Sequence, residues 1–139
     1  MNLTMQDKEL IEEAKKISAK SRQAKLIDTG CVGAALVTTK NNIFCGANLG
    51  FHCGMETCAE NQAIGSMISN GEHEIKTIVA VQFNEKNIEY SVIPPCGKCR
   101  EMIWQAGKKN QNSYVIISNT KKIRLKELLP YHKNYSIEK

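Results

Sequence analysis

Thr77-Ile78-Val79-Ala80-Val81-Gln82-Phe83 is a nearly continuous apolar run. A strand with one wet face alternates apolar and polar residues, so an unbroken run of this length predicts a central strand covered on both sides. The segments around it supply the cover. Upstream, Cys58 opens a helical pattern in which Ala59, Ala63, Ile64, Met67 and Ile68 recur before Asn70-Gly71 ends it. Downstream, Pro94-Pro95 stops any strand and sets up a helix from Cys96 to about Ala106, closed by Gly107. Near the amino terminus, Thr4 with Asp7 marks a helix start, and Leu10, Ile11, Ala14 and Ile17 repeat at helical spacing through about Lys20.

Cys31 to Thr38 and Ile43 to Cys45 read as a two-stranded hairpin about a Lys40-Asn41-Asn42 turn, and Ser113 to Ser118 as a fourth strand. Ile123 to Leu125 makes a short fifth, and Lys126 to Leu129 one helical turn before Pro130. Asn84 to Ser91 is read as a polar excursion and Asn48 to Glu56 as an irregular loop. The order αββαβαβ with a short tail predicts an α/β fold, a three-layer α/β/α sandwich on a mixed five-stranded sheet, with residues 1–139 forming one domain.

Composition supports a folded core and narrows the partners. The 139 residues are 42% hydrophobic and 24% charged, close to ordinary globular proteins. The net charge of +5 comes from 19 Lys and Arg scattered among 14 acids, in pairs such as Lys15-Lys16 and Lys108-Lys109. No long basic run or interleaved aromatic pattern marks a nucleic-acid groove. Met1 to Leu10 lacks the apolar stretch of a secretory signal, and Ile78 to Val81 is too short to span a bilayer, so the expected location is cytoplasmic, with no membrane partner. In a reducing compartment, a C-x-x-C pair beside a third cysteine points to metal binding rather than disulfides.

Two motifs carry the chemistry: Thr57-Cys58-Ala59-Glu60 and Pro95-Cys96-Gly97-Lys98-Cys99-Arg100. Cys96 and Cys99 stand three apart at a helix start, so both sulfurs share one face of its first turn, and Cys58 can reach the same ion from the other helix. Three thiolates hold Zn²⁺ and leave a fourth tetrahedral position open, whereas a structural site is closed. Both helix N-termini stabilise the thiolates, whose charge of −3 exceeds the ion's +2. Glu60, two residues beyond Cys58, is the candidate proton shuttle for hydrolytic removal of an aromatic amino group.

With Val32-Gly33-Ala34-Ala35-Leu36, Asn48 and Glu127-Leu128-Leu129-Pro130, these motifs make the chain resemble the cytidine deaminase superfamily over most of its length. The resemblance implies a cytidine deaminase-like sandwich, a compact homotetramer with one zinc per subunit, a role in pyrimidine salvage, and conversion of a cytosine nucleoside to the uracil form with release of ammonia. It implies that Asn48, Phe51, Ala59 and Pro95 contact the substrate. Cys58, where other branches carry histidine, resembles the small nucleoside-processing branch. Two positions depart from the family pattern. Asn48-Leu49-Gly50 lacks the glutamate of the Asn-x-Glu pair that grips ribose hydroxyls, and Asn61 replaces an arginine that bonds the ligand thiolates. Both departures are expected of the blasticidin-S deaminase branch, whose substrate has a sugar without those hydroxyls, and Phe51-His52-Cys53-Gly54, Tyr131 and His132 are similar in character to it. Cytidine or deoxycytidine and a blasticidin-like analogue therefore stand as alternative substrates.

Other readings compete. Cys53 with Cys58, Cys96 and Cys99 would make a closed four-thiolate structural site, and a degenerate member could bind nucleosides without turnover. Phe44 or Phe51 could stack on the base or belong to the core; Trp104 is read as core or subunit interface, and His52 and His73 as solvated.

Overall fold

The apolar run becomes β3 (Ile75–Asn84), the axis of a mixed sheet. The computed structural model describes residues 1–135, 137 and 139. On one flank of β3 lies β1 (Val32–Thr38), paired antiparallel, and beyond it β2 (Ile43–Ala47). The other flank is shared. β4 (Glu89–Ile93) runs antiparallel to the second half of β3, while β5 (Tyr114–Ile116) runs parallel to Thr77-Ile78 and carries β6 (Lys122–Arg124) on its outer edge.

Successive residues of a strand point to opposite faces, and both faces of this sheet are dry. Ile78 and Ala80 join Ala34, Leu36 and Val115 on one side. Val79 and Val81 join Ala35 and Ile116 on the other. The first face is covered by α2 (Ala59–Ser69) and α3 (Gly97–Gln105), which contribute Ala63, Ile64, Met67 and Ile103. The second is covered by Leu10, Ile11 and Ala14 of α1 (Met5–Arg22). This is the three-layer sandwich that the unbroken run predicts.

At the start of α1, Thr4 and Asp7 form a reciprocal capping box. The buried Asp7 carboxylate also takes Lys122 Nζ at 2.6 Å, which ties the helix to β6. Burial raises the Asp7 pKa, but the Lys122 and Thr4 hydrogen bonds outweigh it and hold the carboxyl below its ordinary value.

The sheet has six strands among the described residues, one more than expected. The extra strand is β4, in the segment read as a polar excursion. Its exposed Glu89 and Ser91 alternate with half-buried Tyr90 and Val92, which pack on the α1 side. Five residues of weak alternation before Pro94-Pro95 gave too faint a period to register. The helices begin one residue later than expected, at Ala59 and Gly97, because Cys58 and Cys96 are their N-caps.

Two features bring those caps together. A Cβ on Gly46 would stand 2.4 Å from Gln62 Cβ and 2.5 Å from Ala63 N, so only glycine lets α2 lie directly on β2. β4 ends at Ile93, opposite Ala80 in the middle of β3. The chain thus leaves the sheet at Pro94-Pro95 and starts α3 near the head of α2. Gly46→Ala is expected to destabilise the protein by about 2 kcal/mol, the usual cost of overpacking, and to weaken zinc binding by shifting α2. Urea unfolding and competitive zinc titration of the variant check both effects.

Candidate active site

Cys58 and Cys96 hold the same position on two helices. Both have extended N-cap backbone, φ −71° and ψ 153° for Cys58 and φ −68° and ψ 169° for Cys96, and neither side chain turns back to cap its own helix. Each sulfur is left to point outward, and the two Sγ atoms stand 3.8 Å apart. Cys99, in the first turn of α3 and fully buried, completes a group whose ligand atoms all lie within 4.8 Å of one another.

This triangle fits zinc. Two sulfurs about 2.3 Å from a tetrahedral ion stand about 3.8 Å apart, the separation of the first pair. Cys53 lies outside the group. It sits in an exposed loop with φ 62°, followed by Gly54 at φ 71°, so the geometry disfavours the four-thiolate structural alternative. Without a cation to share, burial pushes the Cys58 and Cys99 thiols up. The Cys96 thiol is raised by burial too, but the Cys99 backbone N–H and hydrogen bonds with the other two thiols bring it below its ordinary value. A divalent ion resolves this conflict by taking all three as thiolates.

Glu60 is the second residue of α2 and only 5% exposed. Burial pushes its carboxyl up, opposed by its own backbone N–H and by the Cys99 thiol. Asn61 follows, with Oδ1 3.8 Å from Cys99 Sγ. Amide oxygen and nitrogen are interchangeable by a flip, so the same side chain can offer N–H to a thiolate, as the arginine of the family pattern would.

Cys58, Cys96 and Glu60 open into a cavity of about 560 Å³. Asn48, Phe51 and Ala59 line it. Ile93 and Pro94 line the wall, while Pro95 is buried and its carbonyl accepts from Arg100 Nε at 2.9 Å. Asn48 is largely committed to backbone. Its Oδ1 accepts from Val32 N at 2.9 Å and its Nδ2 donates to Asp28 O at 2.7 Å, leaving one amide N–H for a ligand.

Phe44 packs against the core, so of the two aromatics Phe51 alone faces the cavity. Trp104 is buried and stacks on His132 with centroids 4.0 Å apart; His132 also bonds Glu101, fastening the tail to α3. Asp28 and Glu56 line the cavity without having been singled out from sequence. Neither belongs to a motif, and only the tertiary meeting of two loops brings them there.

Over residues 4–115 the chain matches the family described as the cytidine and deoxycytidylate deaminase zinc-binding region. The chain belongs to this family. Blasticidin-S deaminase of Bacillus cereus is 39% identical over 107 residues, covering 73% of this chain and 74% of that protein. Cytidine deaminase of Halalkalibacterium halodurans is 28% identical over 102 residues, covering 71% and 74%. The crystal structure of cytidine deaminase from Burkholderia pseudomallei superposes with a TM-score of 0.71 at 28% identity, covering 93% of this chain and 98% of that one. Like its family, this deaminase is a zinc-dependent aminohydrolase, and Cys58, Cys96 and Cys99 are the group positioned to bind the metal. None of its described helices is long and apolar enough to cross a membrane.

The purified deaminase is expected to carry one zinc per chain. Cys96→Ala should weaken zinc binding by more than about a hundredfold and Asn61→Ala by about tenfold, whereas Cys53→Ser should leave stoichiometry unchanged. Competition with a chromophoric chelator measures all three.

Proposed function

We propose that this enzyme hydrolyses the exocyclic amine of a cytosine nucleoside, with an analogue of the blasticidin S kind as its preferred substrate. The observation that carries the substrate preference is Gly50. A Cβ there would stand 2.4 Å from Asp28 O and 2.6 Å from Asp28 Cβ, so the position that would carry a ribose-gripping glutamate has no room for any side chain. A pocket built this way suits a sugar without vicinal hydroxyls. The 39% identity to a blasticidin-S deaminase supports the same reading. Similarity to a cytidine deaminase over a comparable span keeps cytidine as the second substrate to test.

In this mechanism Cys58, Cys96 and Cys99 would hold the metal, which when bound would supply Lewis acidity for activating water at neutral pH. Glu60 moves the protons. Its carboxylate accepts a proton from the attacking water and passes it to the ring nitrogen of cytosine; it then carries the second proton of the adding hydroxyl to the departing amine. Ammonia leaves and the uracil carbonyl remains. Burial of Glu60 keeps bulk water from competing for these protons. Phe51 offers a face for the base, and Ala59 and Pro94 bound the ring's slot.

The same reading makes the enzyme a cytoplasmic homotetramer. Exposed Ile27, Met55 and Ile68 support burial against neighbouring copies.

An ultraviolet assay of zinc-loaded protein against cytidine, deoxycytidine and blasticidin S tests the proposal. Blasticidin S is expected to give the highest kcat/KM, and Glu60→Ala to lose at least about a thousandfold in kcat on every substrate. Equal or better turnover of cytidine would sink the substrate preference. No turnover of any of the three, with zinc bound, would sink the reading itself.

A further inference from the structure

The three sulfurs of the metal group differ in what can reach them. Cys58 is half-buried and Cys96 exposed, and both line the cavity of about 560 Å³. Cys99 is fully buried and is not among the residues lining it. Its Sγ faces Asn61 Oδ1 at 3.8 Å. A small neutral molecule entering the cavity therefore meets the first two sulfurs and not the third.

Cys58 and Cys96 are also placed to join. Each is the N-cap of its helix, ahead of the first helical residue, and neither side chain is bonded back to its own helix. Their Sγ atoms stand 3.8 Å apart. A disulfide needs about 2.05 Å, so rotation of two side chains and a small approach of the two helix heads closes the gap. One sulfur oxidised from the cavity has the other beside it in the same open space.

We propose that Cys58 and Cys96 are an oxidative modification site, at which hydrogen peroxide entering the cavity joins them as a disulfide, expels the zinc and switches the enzyme off until a thiol reductant restores the pair. This goes beyond the deaminase reading and does not depend on which nucleoside the enzyme takes. Zinc-bound cysteines are thiolates, the nucleophilic form. The more exposed Cys96 sulfur attacks one peroxide oxygen; the O–O bond breaks, the departing hydroxide takes a proton, and a sulfenic acid remains. Cys58 sulfur then attacks the Cys96 sulfur, forming the S–S bond and breaking the S–O bond, and the second hydroxide leaves with another proton. Two thiolates, one peroxide and two protons become one disulfide and two waters; sulfur gives up the two electrons that peroxide oxygen takes. Cys99 is left as the one thiolate of the group, and a single protein ligand does not retain zinc.

The test treats zinc-loaded protein with hydrogen peroxide, follows released zinc with a chromophoric chelator, and maps the alkylated products by mass spectrometry. It is run on the unaltered enzyme and on Cys53→Ser, which removes an exposed thiol outside the metal group. Both should lose one zinc per chain, become lighter by two hydrogens and show two fewer alkylated thiols. Trypsin cuts between Lys98 and Cys99, so a Cys58–Cys96 bridge joins residues 41–76 to residues 87–98. Dithiothreitol with added zinc should abolish that link and return the full zinc content. Zinc retained in a large excess of peroxide would overturn the proposal. So would zinc lost with residues 87–98 joined to Cys99-Arg100, with sulfinic acids and no disulfide, or without recovery on reduction.

Discussion

Three cysteine sulfurs within 4.8 Å, beside a buried carboxyl, can all be thiolates only if a cation joins them. Much of the fold serves that constraint. Two helices present their N-caps to one point, so unsatisfied backbone N–H groups and the positive ends of both dipoles face the sulfurs. Gly46 lets one helix sit close on the sheet, and the early end of β4 releases the chain for the other. With zinc in place the three thiolates would leave a net charge of −1, partly offset by the helix ends, and the buried Glu60 stands beside it, the residue to which proton transfer is here proposed.

The parts legible in the sequence were those encoded locally. The apolar run of β3, the spacing of Cys96 and Cys99, and the carboxylate two residues after Cys58 each depend on neighbours a few positions away, and periodicity or ligand geometry reads them directly. Helix starts were legible to within a residue. The reading missed β4, whose alternation spans five residues, and did not distinguish Pro94, which lines the cavity, from the buried Pro95, because the direction of a side chain in an irregular turn is not set by local pattern. Asn48 was legible as a cavity residue but not as a loop clamp, since its partners Val32 and Asp28 lie 16 and 20 residues away.

The end of the cavity at Gly50 shows how one position can shape a site. Because Gly50 has no side chain, the loop carrying Asp28 packs against its backbone, and hydrogen bonds through Asn48 and Thr29 fasten the two segments. A fold can in this way change what its cavity admits by exchanging loop contacts while the metal scaffold stays in place.

Zinc K-edge X-ray absorption on the purified enzyme tests the central claim most directly, because it reads the ligand set itself. An open site at two helix heads predicts three sulfur scatterers at about 2.3 Å and one oxygen or nitrogen at about 2.0 Å, with the light scatterer altered when a cytosine nucleoside is added. Four sulfurs, unchanged by nucleoside, would contradict it and make the metal structural.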